Sequence, residues 1–393
     1  MPVLHRLALV AITAMLLVST AKAGETVGLV KEKPTKGRFV ETDRGFMVPY
    51  TRQIPGTDVE FSMEPIPGGT FKLGSPVSEA DRRDDEGPQI EVSIEPYWMG
   101  RYEVTWSEYK YFMGLYSVFK DFESQKIRLV NDKTMVDAIT APTELYDPSF
   151  TFELGERPRQ PAVTMTQYAA KQYTKWLSAI TGNQFRLPGE AEWEHACRAG
   201  TTTAYHFGDD ASKIGEYGWF YDNADEAPRD VGQKKPNPWG LFDMHGNVWE
   251  WCLDEYFEDG YAHLAGKHQT GQNAIAWPTK EFPRVLRGGS WDDDPEACRS
   301  AAKLASHDID WKAQDPNLPL SPYWFTDDPA RGVGFRLLRP LNELPKTEMA
   351  KYWEPDAEDI SFGVEIRLDE GRGVLGIVDD KLPAARKALE DSK

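Results

Sequence analysis

Basic residues are scarce in this sequence relative to acidic ones. Its 393 residues include 45 Lys and Arg but 63 Asp and Glu, which gives a formal net charge of −18 at pH 7. A surface with that charge repels polyphosphate, and no basic stretch interrupts it. Nucleic acid is therefore excluded as an expected partner.

Long apolar runs are also lacking, except at the amino terminus. A basic residue, Arg6, precedes an apolar run over 7–18, and the tripeptide AKA (21–23) follows. This is the pattern of a signal peptide with an A-x-A cleavage site. The run is shorter than the roughly 20 residues that span a bilayer, with an uncleaved anchor as the alternative. The sequence predicts that 1–23 is a signal peptide and that the mature chain is exported without a transmembrane anchor.

Cysteine is rare, and the common catalytic motifs are missing. The three cysteines are Cys197, Cys252 and Cys298. In an oxidising compartment an odd count indicates one disulfide and one leftover thiol, without deciding the pair. The sequence has no Ser-His-Asp spacing, no Gly-rich phosphate loop and no HExxH motif.

Aromatic residues are abundant and mark the folded region. They make up 12% of the chain and include 13 tryptophans, which indicates a large and irregular aromatic core. Residues 24–57 are charged and turn-rich, as in a leader or linker. A domain is predicted over 58–340, and 341–393 is interpreted as a polar, partly helical C-terminal extension lying outside the core.

Two helices are predicted from their first residues. Thr105 and Glu108 have the spacing of a capping box, and so do Thr164 and Gln167. Gly182 is the expected end of the second helix.

Three other segments indicate regular structure. GEAEWEHACRA begins just after Pro188 with acidic residues in its first turns and is expected to end at Gly200. IPGGTFKLGS (66–75) is typical of a hairpin, and the alternation over 90–104 predicts a half-buried strand.

Six ordered motifs resemble those of one family. They are GGTFKLGS, MGRYEVTWSEY, RLPGEAEWEHACRAG, NPWGLFDMHGNVWEWC, RVLRGGSWDDDPEACRSAAK and GVGFRLLRP. Together they resemble the formylglycine-generating enzymes, also called sulfatase-modifying factors, over about 58–340. The resemblance implies a single large α+β domain, a modified C-type-lectin-like fold with little regular secondary structure. With the signal peptide, it implies a secreted or periplasmic protein of a bacterial envelope.

The resemblance also implies calcium. In the stretch DMHGNVWE, the implied ligands are the Asp243 and Glu250 side chains and the Gly246 and Val248 carbonyls. Calcium accepts such mixtures of carboxylate and carbonyl oxygen. The alternative is an Asx turn at Asn247 with Glu250 in an ordinary salt bridge. Asn223 matches one ligand of a second calcium site, although the loop after it is shortened.

A disulfide between Cys197 and Cys298 is the pairing that the resemblance implies. Closing a loop of that length stabilises a fold by roughly 4–5 kcal/mol at most. Cys252 is then left as a buried, small apolar side chain.

The segment after Ser290 lacks what the active enzymes of this family use. They hold copper(I) with two cysteines at this place, whereas the present chain has Asp292, Asp293 and Asp294 and no cysteine before Cys298. Carboxylates are hard ligands that cannot replace thiolates around copper(I). The aspartates are interpreted as a turn, with a binding role or a redox centre containing iron and His307 as alternatives. Some relatives do run non-haem iron chemistry, but with histidines from a helical domain not visible here.

Two further candidates carry double interpretations. Arg336 matches a family position near the substrate groove, and a buried pair with a carboxylate explains it equally well. His245 lies inside the calcium motif, where a packing role is favoured over catalysis.

The function predicted from these observations is a calcium-stabilised binding protein. Its expected partner is a peptide, a glycan or a sulfatase-like protein whose maturation it assists without copper-cysteine chemistry. The alternatives are an oxidoreductase or oxygenase with a different metal site, and an envelope interaction module whose 341–393 tail recruits a partner. Whether the chain is an enzyme stays open on the sequence alone.

Overall fold

The computed structural model describes residues 26–145 and 147–392, without the side chains of residues 308 and 309. The predicted signal peptide lies outside the described residues. Within them, no helix combines the length and apolar character needed to cross a bilayer.

Short strands and helices of modest length alternate along the chain. The strands are β1 Leu29–Val30, β2 Val40–Thr42, β3 Gly45–Met47, β4 Tyr50–Gln53, β5 Glu60–Ile66, β6 Gly69–Leu73, β7 Ile90–Ile94, β8 Tyr97–Gly100, β9 Ala138–Thr140, β10 Trp249–Glu255, β11 Gln269–Thr270, β12 Arg284–Arg287, β13 Lys303–Ala305, β14 Val333–Gly334, β15 Leu338–Pro340 and β16 Leu375–Ile377. The helices are α1 Trp106–Met113, α2 Leu115–Ser124, α3 Pro148–Phe152, α4 Gln167–Thr181, α5 Glu190–Arg198, α6 Asp308–Trp311, α7 Lys346–Trp353, α8 Glu358–Asp369 and α9 Leu382–Glu390. This mixture confirms the α+β class.

Two four-stranded sheets position the motif segments. Their strand orders are β13-β12-β10-β14 and β15-β8-β5-β4. In the first sheet, Glu250 on the central strand β10 pairs with Arg287 of antiparallel β12 and with Gly334 of parallel β14. Helices α4 and α5 pack against β10. The segments that follow β12 and β14 therefore begin close to the first residues of β10.

The predicted helix starts are confirmed at one position and shifted at the other. Thr105 is the N-cap of α1, and its backbone N–H donates to Glu108 at 2.9 Å, as a capping box requires. Helix α4 begins after Thr166 rather than Thr164, because the Thr166 hydroxyl accepts the N–H of Ala169. Gly182 ends α4 in the left-handed conformation, as predicted.

Tertiary pairing overrides two local predictions. The 66–75 segment is not a hairpin: β5 already has β4 and β8 on its two edges, so β6 pairs with β7 in another sheet. The 90–104 segment is not one strand but two, β7 and β8, which are separated by Pro96 and belong to different sheets. Proline has no N–H for a strand ladder, so it ends the pairing of β7. Helix α5 matches its predicted start after Pro188, with Ala199 as its C-cap.

The core is aromatic, as the composition predicted. Tyr109 lies within it, and its ring centroid is 5.6–6.0 Å from those of Phe112, Tyr173, Trp324 and Phe335. Edge-to-face and offset contacts at these distances are favourable for aromatic rings.

The C-terminal extension belongs to this core, which corrects the interpretation that it lies outside. Met349 and Tyr352 of α7 are fully buried in the same apolar cluster as Tyr109. Strand β16 pairs with β9, and Asp356 forms ion pairs with Arg284 and Lys171. The segment is polar on average, but its apolar residues are spaced so that they pack into the core.

Candidate functional site

The aspartate run after Trp291 forms a turn organised by Asp293. Asp293 Oδ2 accepts the backbone N–H of Ser290 at 2.9 Å, the Ser290 hydroxyl, and the indole N–H of Trp249 at 2.8 Å. Its carbonyl accepts the N–H of Tyr221. This arrangement agrees with the turn interpretation and leaves Asp293 with a structural task.

Asp292 and Asp294, the other two aspartates of the run, have fewer contacts than Asp293. Asp294 is the N-cap position of a short 3-10 helix over Pro295–Cys298. Asp292 is exposed, and its pKa is raised by partial desolvation, followed by its acidic neighbours Asp328 and Glu226. The Asp294 side chain makes no capping hydrogen bond, so the exposed carboxylates of Asp292 and Asp294 both have fewer structural ties than that of Asp293.

The register of β12 with β13 keeps His307 away from the aspartates. Arg287 pairs with Lys303 and Val285 with Ala305, so the two strands run in opposite directions. Residues beyond Arg287 lead to Asp292, whereas residues beyond Ala305 lead to His307 at the other end. His307 is exposed there. The structure does not bring together the candidate ligands of a combined carboxylate–histidine centre.

Replacing Asp293 tests the turn. We expect Asp293→Ala to lower the free energy of unfolding by about 1.5–3 kcal/mol, since it removes a charged acceptor shared by three donors. Asp292→Ala is the matched control, with an expected change within about 0.5 kcal/mol. Chemical denaturation followed by tryptophan fluorescence measures both, and equal losses for the two variants would contradict this account.

Glu250 and Arg336 form a fully buried ion pair beside the turn. Arg336 Nε donates to Glu250 Oε2 at 2.6 Å and Nη2 donates to Oε1 at 2.5 Å. The Trp193 indole also donates to Oε2, at 2.7 Å. The remaining guanidinium hydrogens reach the carbonyls of Gly100 and Phe242. Of the two interpretations of Arg336, the structure matches the buried pair.

Two more carboxylates lie close to this pair, and each has an oxygen without a partner. Asp243 Oδ2 accepts the N–H of Gly232 at 2.7 Å, and Glu103 Oε1 accepts the Asn247 amide at 3.1 Å. Asp243 Oδ1 and Glu103 Oε2 are buried and have no hydrogen-bond donor among the described residues. Leaving such oxygens unsatisfied is costly, so a cation or a proton is expected there.

The raised pKa values of Asp243 and Glu103 reflect the excess of negative charge in this cluster. The pKa of Asp243 is raised to about 6, mainly by burial and to a smaller extent by Glu250, against the lowering effects of the Gly232 N–H and Arg336. Burial, then Asp243, raises the pKa of Glu103 well above its usual range. Three buried carboxylates therefore share the single guanidinium of Arg336.

The implied calcium ligands fit this environment only in part. Asp243, with its free Oδ1, fits, whereas both oxygens of Glu250 are engaged by Arg336 and Trp193. Gly246 has φ +124°, and a Cβ there would lie 2.1 Å from the Trp219 carbonyl oxygen, so only glycine fits. Val248 is buried at the start of β10. The described residues contain no group of three or more His, Cys, Asp or Glu side chains placed to bind a metal, so any cation here would also need carbonyl oxygens.

Asn223, the residue matched to a second calcium site, has hydrogen-bond partners within its own loop. Asn223 Oδ1 accepts the N–H of Phe220 at 2.9 Å, and its amide donates to the Gly218 carbonyl. Asn223 therefore stabilises the turn that it closes.

Two of the cysteines converge on one buried histidine. Cys197 Sγ lies 3.8 and 3.9 Å from the ring nitrogens of His245, and His245 Nδ1 is 2.8 Å from the Cys298 carbonyl oxygen. All three cysteines are free thiols in the residues that the structure covers. Burial raises the pKa of Cys197 to about 12. The Cys197–Cys298 disulfide stays a prediction, and Cys252 is buried as expected.

His245 has a packing role in this cluster. Its Nε2 lies 2.9 Å from His206 Nδ1, and the two rings stack. Burial lowers the pKa of His245 to about 4 and that of His206 to about 2. Both imidazoles are therefore neutral near pH 7.

Glu103 and His206 are the residues that the sequence did not single out. Glu103 stands in the quoted YEV motif, where an acid between apolar residues was a usable signal. His206 carries no local signal, because its partner His245 is 39 positions away.

Comparisons with known proteins agree with the geometry. Residues 57–313 match the family model described as sulfatase-modifying factor enzyme 1-like domain. The chain is 28% identical to a formylglycine-generating enzyme of Thermomonospora curvata over 264 residues, covering 60% of this chain and 84% of that protein. It is 30% identical to the serine/threonine-protein kinase pkn1 of Chlamydia caviae, covering 70% of this chain but only 39% of the kinase.

A solved structure also matches. The structure of PvdO from Pseudomonas aeruginosa has a TM-score of 0.50 and 27% identity, covering 74% of this chain and all of PvdO. The family model, which spans more than half of the chain, and this shared fold confirm the family and the fold inferred from the six motifs. The chain belongs to the sulfatase-modifying factor family, in which it is a member without the cysteine pair between Ser290 and Cys298.

Proposed function

We propose that this protein is an exported, calcium-stabilised binding member of the sulfatase-modifying factor family. It would bind a peptide, a glycan or a sulfatase-like protein and assist sulfatase maturation without copper-cysteine chemistry. The observation that carries this proposal is the turn at 291–294. The place of the two thiolates is taken by a carboxylate run whose half-buried member, Asp293, accepts hydrogen bonds from Ser290 and Trp249.

The surface beside this turn has the character of a binding face. Tyr221 is 61% exposed, and its backbone N–H donates to the Asp293 carbonyl; Trp291, within the turn, is half-buried. Exposed aromatic side chains near a rigid turn are common anchors for extended ligands. We infer that a partner segment contacts Tyr221 and Trp291.

A direct experiment separates this function from an oxygenase. The mature protein is purified without a tag, its metals are counted by mass spectrometry, and oxygen consumption is followed with a thiol peptide. Calcium without iron or copper, and no oxygen consumption, supports the binding function. Stoichiometric iron or copper together with oxygen consumption would contradict it.

A cellular experiment addresses the partner. Sulfatase activity is measured in cells that lack this protein, and in cells that carry it as wild type, Tyr221→Ala or Asp222→Ala. Wild type and the Asp222→Ala control should restore activity, and Tyr221→Ala should restore less. Equal sulfatase activity with and without the protein would reject the maturation role.

Calcium is proposed at the unsatisfied oxygens Asp243 Oδ1 and Glu103 Oε2, with loop carbonyls such as those of Gly246 and Val248 completing the set. When bound, calcium would supply two positive charges to a cluster with an excess of carboxylates. Glu250 would then serve the site by holding Arg336 and not by binding the ion.

Calcium removal gives a measurable prediction. Excess calcium should raise the free energy of unfolding of chelator-treated protein, by about 2.7 kcal/mol at roughly 100 times the Kd. Asp243→Asn should abolish the increase, and Asp222→Asn, an exposed acid, should leave it unchanged. If calcium addition leaves the melting temperature of the wild type unchanged, the proposed calcium site is contradicted.

The pH dependence follows from the raised pKa of Asp243. Because its folded pKa of about 6 exceeds the usual value near 3.9, its contribution to metal-free stability is complete below about pH 4 and is lost as pH rises through 6. Calcium competes with that proton, so its stabilising effect should grow above pH 6 and shrink below it.

A further inference from the structure

A cavity of about 290 Å³ lies between the family domain and the C-terminal extension. Its walls come from residues of 143–145, 147–151 and 314–326 in the domain, and from Arg367 of helix α8. The matched family segment ends at residue 313. The 314–326 wall and Arg367 both lie beyond the matched segment, so the 57–313 segment could not form this cavity alone, and the C-terminal extension contributes Arg367 to it.

Arg367 is a buried guanidinium without a carboxylate partner. Its side chain is 4% exposed, and its one hydrogen bond among the described residues runs from Nη2 to the Pro319 carbonyl at 3.3 Å. Its Nε is buried and has no acceptor. Burial, followed by the nearby positive charge of Arg372, lowers its pKa. The buried Arg336 and Arg284 have carboxylate partners, whereas the buried Arg339 bonds to the Val27 carbonyl and the Tyr50 hydroxyl.

Asp315 lines the same cavity, and its negative charge partly offsets the lowering of the Arg367 pKa. Its Oδ2 accepts the N–H of Ser321 at 2.6 Å, and its Oδ1 accepts both the backbone and the side-chain amide of Asn317. No ion pair joins it to Arg367 in the described part of the chain. Asp315 therefore shapes the loop, and the guanidinium stays available to a ligand.

The other walls are of two kinds. Phe150, Trp324 and Phe325 give the cavity an apolar aromatic side. Glu144 and Asp147 also line it and are exposed. The cavity thus combines a buried cation, apolar rings and exposed carboxylates.

The cavity is distinct from the aspartate turn. None of the residues 290–294 lines it. Its nearest link to the turn is Arg331, whose guanidinium lies 4.5 Å from the Phe150 ring centroid and whose carbonyl accepts the Trp291 indole. A ligand in this cavity would contact Phe150, which packs on Arg331, but would not contact residues 290–294.

We propose that this cavity binds an α-amino acid, free or as the carboxyl-terminal residue of a peptide, with an apolar side chain. The carboxylate pairs with Arg367, for which a planar two-oxygen acceptor is the matching partner. The apolar side chain packs on Phe150, Trp324 and Phe325, and an ammonium group is attracted by Glu144 and Asp147. The volume suits a ligand about the size of phenylalanine.

Titration calorimetry with three probes tests this recognition. L-Phenylalanine and N-acetyl-L-phenylalanine keep the carboxylate, and L-phenylalaninamide lacks it. The amide should bind at least about tenfold more weakly than L-phenylalanine, because the charged hydrogen bonds to Arg367 are lost. Equal affinity of the acetylated probe assigns the site to a peptide terminus, and weaker affinity assigns it to a free amino acid. Equal affinity of the amide, or no binding of any probe at millimolar concentration, overturns the proposal.

The Arg367→Met variant separates a binding arginine from a structural one. It should lose the affinity for both carboxylate probes and should raise the melting temperature of the ligand-free protein, since an unpaired buried charge is removed. Arg284→Met is the matched control, because its guanidinium is paired with Asp356, and it should lower the melting temperature. A melting temperature lowered alike in both variants, or unchanged binding by Arg367→Met, overturns the proposal. Calcium binding and sulfatase activity do not enter these measurements, so this proposal can fail while the proposed function stands.

Discussion

A chain that ends at Pro340 is expected not to fold. The deletion removes buried apolar side chains that pack in the main core. They are Met349, Tyr352, Ile360, Val364, Val374, Val378, Leu382 and Leu389. Each fully buried side chain of this type contributes about 1.5–3 kcal/mol, whereas a whole domain is stable by only about 5–15 kcal/mol. Their combined loss exceeds the available stability.

The deletion also leaves charges without partners. Asp356 pairs with Arg284 at 2.6 Å and with Lys171 at 2.8 Å, and both basic side chains are buried. Strand β9 would lose its partner β16 and become an open edge. Two independent penalties therefore follow from the same truncation.

Circular dichroism and the cooperativity of thermal unfolding measure the effect. The control is a chain that ends at Glu390, which keeps Leu389 and the Arg386–Glu390 pair and should unfold as the full chain does. A truncated chain that ends at Pro340 and still unfolds cooperatively would show that the tail is dispensable. It would then favour the interaction module whose tail recruits a partner.

Replacing Arg336 with methionine is expected to have the second largest effect. The variant leaves Glu250 buried with no cation, next to Asp243 and Glu103. Breaking a buried pair by removing one partner costs about 3–5 kcal/mol in the free energy of unfolding. Denaturant titration near pH 7.5 measures the loss, and Arg157→Met, whose side chain is 53% exposed and pairs with the partly exposed Asp230, is expected to cost at most about 1 kcal/mol.

A second substitution and a pH series identify the cause. Adding Glu250→Gln to Arg336→Met should recover part of the loss, because the uncompensated charge disappears. The loss should also shrink below pH 6, where Asp243 takes up its proton. If Arg336→Met costs no more than Arg157→Met, the buried pair does not stabilise this region.

The family and the general fold were readable from the sequence, and so were the features that depend on near neighbours. The capping box of Thr105 with Glu108 and the stop at Gly182 were predicted correctly, because each involves residues within four positions on the chain. The start of α4 was misplaced by two residues since Thr164 and Thr166 offer the same hydroxyl. Sequence spacing does not choose between them.

The environment of the candidate site was only partly readable. The segment that lacks the copper cysteines was evident from its composition, and the turn was one of three interpretations left open. That Trp249 donates a hydrogen bond to Asp293, or that Glu250 is held by Arg336 from 86 positions away, depends on how β10, β12 and β14 pair. No local pattern encodes that pairing.

By itself, the sequence determined the family, the acidic character, the aromatic core and the missing cysteine pair, since composition and short motifs carry each of these. Only the tertiary structure decided that β5 and β6 belong to different sheets, that the C-terminal extension is part of the core, and that Glu103 and Arg367 are buried without full partners. The physical reason is the same in each case. Burial and the pairing of charges depend on segments far apart in the chain. The residues next to one partner in the sequence therefore do not indicate which distant residue the other partner is.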